Sequence, residues 1–526
     1  MREHSMHENR ETPWTPANEV SAGRSEKGQA RASDAYVRGE SDGCVVPVKS
    51  PNNDHGRSAE AAEGRRPTKG KARQPAAPRT QSRTSASSGL AGLRTRAHAD
   101  KHARFTALLH HVTVDVLRDS FAALKREAAP GVDGVTWGQY EVGLEERLRD
   151  LHGRVHRGAY RAQPSKRAFI PKADGKLRPL GIAALEDKIV QQAVVTVLTP
   201  IYEADFLGFS YGFRPGRSQH DALDALWVGL MGKKVNWVLD ADIRGFFDNL
   251  AHEWLEKFVE HRIADPRILR LIRKWLRAGV IEDGQWTGTK VGTPQGAVIS
   301  PLLANVYLHY VLDLWVQQWR SRNARGDVII VRYADDFVMG FQHRDEAERF
   351  LNDLRERFTK FGLALHPDKT RLIEFGRFAA VNRERRGAGK PETFNYLGFT
   401  HLCGRKHWSG GFIVKRETIA KRLRAKLEEV RQTLMQHRHE PIPQQGQRVR
   451  GVVQGYLNYH AIPGNKPALE TFCTQTARHW LHALRRRSQR RRMPWARFSR
   501  IVTRWLPKPR ISHDYPNVRF FAKHPR

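Results

Sequence analysis

The chain has 526 residues, with 90 Lys and Arg against 55 Asp and Glu, so its formal net charge is +35. Residues 401–526 alone carry 28 Lys and Arg against 6 Asp and Glu. A surplus of this size repels itself and predicts a polyanionic partner, most simply a nucleic acid. The cysteines, Cys44, Cys403 and Cys473, are too far apart for a disulfide framework or a Cys-type zinc module. No apolar run reaches membrane-spanning length, so we expect a soluble, intracellular protein.

The first part of the chain, residues 1–95, is rich in Ser, Arg, Gly, Pro and Ala and shows no sustained hydrophobic periodicity. Such a composition cannot bury enough apolar surface to offset the entropy lost on ordering. We therefore predict a disordered basic extension, a solvated tail in preference to an arm that touches nucleic acid. Its first residues, MREHSMHENRETPW, contain no hydrophobic stretch typical of a signal peptide.

Regular structure is predicted from about Phe105 onward. The stretch SKRAFIPKADGKLRPLGIA (165–183) predicts two strands joined through Asp174-Gly175, a strong hairpin dipeptide. Apolar residues at helical spacing between Val190 and Ile201 predict one face of an amphipathic helix.

Three further elements follow in chain order. SQHDALDAL predicts a helix start, with Ser218 as N-cap and Asp221 three residues later. NWVLDADIRGFF (236–247) has strand character, and SPLLANVYLHYVLDLWVQQW predicts a helix. Beyond residue 415, apolar residues at helical spacing predict a core-facing helix whose outer face is basic, which suits contact with a phosphate backbone.

The stretch DVIIVRYADDFVMGF (327–341) contains candidate catalytic residues. Two apolar runs flank Tyr333-Ala334-Asp335-Asp336, which predicts a hairpin with two adjacent carboxylates at its tip. Phosphoryl transfer to a hydroxyl is catalysed by two Mg²⁺ ions roughly 4 Å apart, and Mg²⁺ prefers carboxylate oxygens. Because nothing basic precedes Asp335 closer than Arg332, we expect the positive partner of these carboxylates to be a metal.

A second acidic element is needed beside that hairpin, and LDADIRGFFD is the best candidate. Alternation along a strand puts Asp240 and Asp242 on the same face, so their spacing leaves both open.

Several motifs together resemble one known family. YADD within a hairpin resembles the catalytic box of reverse transcriptases, and DIRGFFD, GTPQGAVISPLLANVYL, GLALHPDKT and FNYLGF resemble their other palm motifs. FIPKADGKLRPLGI and GFSYGFRPGRSQHDAL resemble the fingers of group II intron reverse transcriptases. These motifs occur in the family's order across about residues 105–400. Past residue 415, GVVQGYLNYH and PRISHDYPNVRF resemble that family's thumb and maturase domain.

The resemblance implies an α+β fold shaped as a right-hand polymerase, with fingers, a palm built on a ferredoxin-like antiparallel sheet, and an α-helical thumb. The implied boundaries are 96–235 for the fingers, 236–405 for the palm and 406–526 for the thumb/maturase domain with its basic tail.

The resemblance also implies roles for single residues. Asp242, rather than Asp240, would be the first metal ligand, with Asp335 and Asp336 completing a site for two Mg²⁺ ions that the Ile243 backbone carbonyl also touches. The implied nucleotide contacts are Lys172, Arg178, Gln295 and Phe247, the last as the gate that excludes a ribose 2′-hydroxyl. The implied RNA contacts are Lys421, Arg422, Arg424, Lys426, Arg485, Arg486 and Arg487.

The function that the resemblance implies is that of an RNA-directed DNA polymerase with maturase activity, which supports RNA splicing and intron mobility. Its partners would be group II intron RNA, an RNA template with a DNA primer, dNTPs and target DNA, in the cytoplasm near a bacterial nucleoid. Because no metal-binding Cys pair is present, we expect the endonuclease-lacking class C lineage, which primes from a nascent strand.

Three alternatives remain. A domesticated reverse transcriptase of defence or repair would share the palm, and flanking group II ribozyme sequence would argue against it. A maturase without polymerase activity could lose its acidic residues, yet Asp242, Asp335 and Asp336 are present. An RNA polymerase is disfavoured by Phe247, whose replacement by a small residue should admit ribonucleotides.

Overall fold

The computed structural model describes residues 80–171, 177–282, 285–288, 291–293, 295–407, 409–487 and 493–525, with side chains from residue 89. These residues all belong to the compact unit Cys44–Arg526. None of the described helices combines the length and apolar character needed to cross a lipid bilayer.

The described part of the chain is rich in helices. In order they are α1 (Thr80–Ala99), α2 (Val114–Ala123), α3 (Trp137–Glu141), α4 (Leu144–His156), α5 (Leu185–Asp205), α6 (Gln219–Gly232), α7 (His252–Glu260), α8 (Pro266–Arg277), α9 (Ser300–Leu308), α10 (Leu314–Asn323), α11 (Arg344–Lys360), α12 (Ala379–Arg385), α13 (Ala420–Gln436), α14 (Ile442–His460), α15 (Lys466–Arg485), α16 (Trp495–Trp505) and α17 (Pro516–Lys523). A 3₁₀ turn, Phe246–Asp248, follows the third strand.

The strands of the described residues form three sheets. In order they are β1 (Ser165–Pro171), β2 (Leu177–Ile182), β3 (Trp237–Ala241), β4 (Val280–Glu282), β5 (Gln285–Thr287), β6 (Val328–Tyr333), β7 (Asp336–Phe341), β8 (Arg371–Glu374), β9 (Phe394–Tyr396), β10 (Phe399–Arg405) and β11 (Phe412–Thr418). Their spatial orders are β2-β1-β4-β5, β6-β7-β3-β8 and β11-β10-β9. The α+β class expected from the sequence is confirmed.

The sheet β6-β7-β3-β8 is wholly antiparallel and lies at the centre of the fold. Leu239 and Met339 face one hydrophobic core, and their neighbours Val238 and Val338 face another. Helices and a second sheet cover both faces of this sheet. The sequences of these strands are therefore apolar at successive positions and do not alternate between apolar and polar residues. Burial on both sides fixes the strand register, since a slip of one residue would exchange the two faces.

Several local predictions agree with the structure. Strands β1 and β2 pair antiparallel as expected, although the Asp174-Gly175 turn lies outside the described residues. The stripe from Val190 to Ile201 is buried along α5. Ser218 caps α6 and forms a reciprocal capping box with Asp221, which stabilises the start of that helix.

Two local predictions need correction. Disorder was expected up to residue 95, but α1 begins at Thr80, and Leu93 and Ala97 are buried where α1 packs on α5. A small residue such as Ala97 lets the two helices approach closely, and composition alone does not reveal that contact. The helix expected after residue 300 is interrupted between α9 and α10 by a π-helical segment, His309–Asp313.

The C-terminal helix α17 packs against α6. Phe520 is buried in the core beside α6, and Lys523 pairs with Asp221 at 2.7 Å. Buried Asp224 of α6 meets the guanidinium of Arg519 at 3.1 Å. The last described helix of the expected thumb/maturase region is therefore folded onto α6, in the first half of the unit.

Candidate active site

The acidic hairpin is formed by β6 and β7, whose last paired residues are Tyr333 and Asp336. Only Ala334 and Asp335 remain in the turn. Ala334 has a φ of 57°, a left-handed conformation that costs an L-residue on the order of 1 kcal/mol. Asn or Gly would adopt it more easily, so the surrounding structure must hold the turn in this shape.

Arg332 supplies much of that support. Arg332 and Asp313 are both fully buried, and the guanidinium donates to the two carboxylate oxygens at 2.7 and 2.5 Å. The same guanidinium donates to the Asn305 side-chain oxygen at 3.0 Å and to the Ala334 carbonyl at 2.9 Å. It also donates to the Ser210 hydroxyl at 2.7 Å. A buried Arg whose donors are satisfied in this way fixes the backbone that it bonds.

The loop at 209–212 lies directly against the hairpin. The Arg332 amide donates to the Phe209 carbonyl at 2.9 Å, and the Tyr211 amide donates to the Arg332 carbonyl at 2.8 Å. A Cβ on Gly212 would stand 2.2 Å from the Ala334 nitrogen, so only glycine fits at this contact. The motif GFSYGF therefore buttresses the acidic turn.

Strand β3 brings the third carboxylate to the hairpin. Ala241 pairs with Phe337 across β3 and β7, so Asp242, the next residue, emerges beside Asp336. Burial, followed by repulsion from Asp335 and Asp242, raises the pKa of Asp336 to about 7, although water still reaches its side chain. Burial also raises the pKa of Asp335, with the charge of Asp242 adding to it. The three carboxylates therefore share one electrostatic environment.

Asp240 has a different setting. It lies within β3, opposite Val338 on one side and Arg371 on the other, and its carboxylate meets the Arg371 guanidinium at 3.4 Å. Burial raises the pKa of Asp240, while the Arg371 charge opposes the shift.

Basic side chains from distant segments face these carboxylates, contrary to the expectation that only a metal would. The Lys369 ammonium lies 2.5 Å from Asp242 Oδ2. The positive charge of Arg422 on α13 lowers the pKa of Asp336, opposing its rise. In the described part of the chain, no three His, Cys, Asp or Glu side chains are arranged to hold a metal ion. Lys369 belongs to the motif GLALHPDKT, whose role in the site the sequence analysis missed.

The expected nucleotide contacts are partly brought together. Arg178 on β2 is exposed, and its charge lowers the pKa of Asp335. The Gly181 amide of the same strand donates to the Gln295 carbonyl at 2.7 Å. Phe247 is half-buried, and its carbonyl accepts from the Thr293 amide at 2.8 Å. Lys172 lies outside the described residues.

Ile243, whose carbonyl was expected to touch a metal, is buried and forms an isolated bridge with Leu365. Its neighbour Asp242 accepts at its own carbonyl from the His366 amide at 2.8 Å. The segment just before Lys369 therefore anchors the end of β3.

The candidate RNA contacts of α13 and α15 differ in exposure and partners. Lys421, Arg422 and Arg424 are exposed, whereas Lys426 bonds Glu429 at 2.7 Å. Arg487 donates to the carbonyls of Arg438 and Glu440 and thereby joins α15 to the loop before α14. Of the other two candidate RNA contacts, Arg485 donates to the Met493 carbonyl at 3.1 Å, and Arg486 is exposed.

A family model described as reverse transcriptase (RNA-dependent DNA polymerase) matches residues 170–401. The matched range contains the three carboxylates, the 209–212 loop, Lys369 and the expected nucleotide contacts. It also contains the whole of the central sheet.

Three curated proteins are similar to parts of this chain. Protein YkfC of Escherichia coli (strain K12) is 38% identical over 280 residues, 47% of this chain and 73% of YkfC. The group II intron-encoded protein LtrA of Lactococcus lactis subsp. cremoris is 41% identical over 179 residues, 34% of this chain and 29% of LtrA. The mitochondrial nuclear intron maturase 2 of Arabidopsis thaliana is 29% identical over 109 residues, 20% of this chain and 15% of that protein.

Proposed function

Because the chain belongs to the family of group II intron-encoded reverse transcriptases, which are RNA-directed DNA polymerases, we propose that Asp242, Asp335 and Asp336 catalyse the addition of deoxynucleotides to a primer. The observation that carries this proposal is the shared environment of these carboxylates at the open end of β3 and β7. The 3′-hydroxyl of the primer would attack the α-phosphate of the nucleotide in line, and pyrophosphate would leave.

Enzymes of this family use divalent metal ions. In this structure Lys369 pairs with Asp242 and the described carboxylates are not arranged around an ion. Their donor chemistry nevertheless fits Mg²⁺, because carboxylates are hard oxygen ligands and a cation would relieve the repulsion among them. We propose Asp242, Asp335, Asp336 and the Ile243 carbonyl as the ligands of two ions. When bound, such ions neutralise charge on the entering and leaving oxygens.

The chain's own residues would bind and select the nucleotide. Exposed Arg178 would pair with the triphosphate, since a guanidinium can donate two parallel hydrogen bonds to phosphate oxygens, and Lys172 would assist it. Gln295, joined to β2 through Gly181, would lie against the nucleotide and its template base. The half-buried ring of Phe247 would stand where a ribose 2′-hydroxyl would project, and so favour deoxynucleotides.

The partners of the family are nucleic acids. We propose that group II intron RNA, target DNA and the template–primer duplex bind the basic thumb, 406–526, beside fingers at 96–235 and a palm at 236–405. Support comes from the charge of residues 401–526 and from exposed Lys421, Arg422 and Arg424. The proposal includes maturase activity in splicing and intron mobility. It is supported by the similarity to a group II intron-encoded protein and to an intron maturase.

Two finer assignments belong to the same proposal. The absence of a Cys pair in the sequence supports the endonuclease-lacking class C lineage. The bacterial sources of YkfC and LtrA support a location at a bacterial nucleoid.

Primer extension on an RNA template with Mg²⁺ tests the catalytic assignment. Asp335→Ala should lose extension by a factor of a thousand or more, on the order expected when a metal ligand is removed. The same variant should bind the RNA template as tightly as the wild type, because the basic thumb is intact. Extension at an unchanged rate in Asp335→Ala would refute the assignment, whereas lost RNA binding would indicate a folding defect.

A further inference from the structure

A surface groove lies at the end of the central sheet opposite to the acidic residues. Its volume is about 610 Å³, within the roughly 300–1,000 Å³ typical of ligand sites. The groove is lined by Trp237 and Glu374 of the paired strands β3 and β8 and by Phe378, Asn382, Arg385 and Arg386 on and around α12. Trp237 stands five residues before Asp242, about 16 Å along an extended strand. The groove is therefore separate from the site of polymerisation.

An exposed aromatic ring marks the wall of this groove. Phe378 is 56% exposed, and Trp237 is half-buried beside it in the lining. An exposed aromatic ring next to charged groups suits a planar ligand that also carries charge. A nucleic-acid base is the partner that uses such a ring most directly, since every base presents a flat π-face for stacking.

The charge of the groove is complementary to phosphate. Residues 376–392, which include α12, contain five Lys and Arg against two Glu. Glu374, the acidic residue of the lining, is buried, accepts from Asn382 at 3.1 Å and pairs with Arg386, so its charge is compensated. Arg385 is exposed and, within the described residues, no carboxylate pairs with it. Its guanidinium is thus available for a ligand.

We propose that this groove binds an unpaired segment of RNA, with a base stacked on Phe378 and a phosphate held by Arg385. Paired bases cannot offer their faces to a side chain, so duplex RNA should not occupy it. The inference rests on the proposed function only for the identity of the nucleic acid, since the groove does not take part in nucleotide addition. It gives the palm a second RNA contact in addition to the thumb.

Binding of a fluorescein-labelled 12-nucleotide oligouridine, followed by anisotropy on the full chain, measures this contact. Phe378→Ala and Arg385→Ala should each weaken binding roughly tenfold, and Phe378→Trp should restore it, because a stacked base contributes in that range. Arg385→Ala should also lower the slope of log affinity against log salt by about 0.7. The controls are Val142→Ala and Arg149→Ala, which remove an exposed apolar and an exposed basic side chain from the expected fingers.

Photocrosslinking with 4-thiouridine in the same RNA locates the contact. The inference predicts crosslinked peptides from 376–392 in the wild type and their loss in Phe378→Ala, with duplex RNA giving none. Affinities of both groove variants equal to those of the controls, or crosslinks confined to the thumb, would overturn it. Primer extension separates the two proposals: the groove variants should extend a pre-annealed primer at the wild-type rate, and Asp335→Ala should keep the crosslink.

Discussion

Asp240 and Asp242 are two residues apart on one strand, and their environments separate their roles. Asp240 is inside β3 and meets Arg371, whereas Asp242 emerges past the strand end toward Asp335 and Asp336. The rule of alternation places both on one face but does not say where the strand stops. Because β3 ends at Ala241, Asp240 lies inside the strand and Asp242 lies just beyond it.

We predict that Asp242→Asn abolishes primer extension, whereas Asp240→Asn retains at least a tenth of the wild-type rate. The amide keeps the shape of either side chain and removes its charge, which matters most where charge must be presented to the reacting groups. Single-turnover extension rates at saturating nucleotide provide the comparison. Equal losses in the two variants would mean that the pair acts as one ligand.

Asp336 gives a pH dependence that can be isolated. Its pKa is raised from 3.8 to about 7, so the folded state holds this proton more tightly than the unfolded state. The stability that the proton contributes is complete below pH 3.8 and is lost as the pH rises through about 7. In EDTA, the free energy of unfolding of the wild type should therefore fall relative to that of Asp336→Asn between pH 5 and pH 8.

Urea denaturation of both proteins across that range measures the difference. Other carboxylates with raised pKa, such as Asp187 and Asp224, are common to both proteins and cancel. Mg²⁺ at pH 8 should stabilise the wild type more than the variant, because an ion bound only to the folded state shifts the equilibrium. Parallel curves for the two proteins would contradict the assignment.

Among single side chains, the sequence predicted the acidic residues better than their basic partners. Asp335 and Asp336 can be identified from the sequence, because they are adjacent charges between two apolar runs. Lys369 meets Asp242 although the two are 127 positions apart in the sequence, and nothing in its local pattern differs from that of an ordinary turn lysine. Ion pairs of this kind depend on how the palm closes in space.

The β6–β7 hairpin keeps its shape through an element remote in sequence. The π-helical segment between α9 and α10 places Asp313 in the buried interior, where it meets Arg332. The sequence predicted a helix there but could not predict the π turn, because a change of helical register leaves the apolar pattern almost unchanged. The hairpin itself was predicted, although its turn contains neither Asn-Gly nor Asp-Gly.

We predict that Arg332→Met destabilises the protein by about 3–5 kcal/mol, because Asp313 would remain buried without its partner. The control is Lys257→Met, which breaks an exposed pair with Glu253 and should leave the free energy of unfolding nearly unchanged. Urea unfolding gives both values, and primer extension below the unfolding transition should also be slower in Arg332→Met. A loss no greater than that of the control would show that the buried pair does not hold the turn.

The net charge of +35 acts over the whole protein and governs its affinity for RNA. If six or more phosphates are contacted, the affinity should fall roughly 1,000-fold or more between 50 and 200 mM salt, because bound counterions are released on binding. Filter binding of a structured RNA over that range measures the slope. An affinity independent of salt would contradict a phosphate-dominated interface.

The order of motifs predicted the overall architecture, since each palm and finger motif was identified by its own residues. What the sequence could not predict is the position of the C-terminal segment. PRISHDYPNVRF contains only two Arg, one Asp and scattered apolar residues, yet its Phe520 and Arg519 match partners on α6. The two segments are about 300 residues apart in the sequence, and neither segment by itself predicts their contact.

The contact between α17 and α6 has a consequence for synthesis of the protein. Asp221 and Lys523 are 302 residues apart, so at about 5–20 residues per second a ribosome needs on the order of 15–60 s to make the second after the first. Until α17 is made, the nascent chain exposes an apolar helix face and the acidic residue Asp224. Its counterion Arg416 is made about two-thirds of the way through that interval, and its counterion Arg519 only near the end. We expect this surface to need protection by chaperones on the ribosome until α17 emerges and covers it.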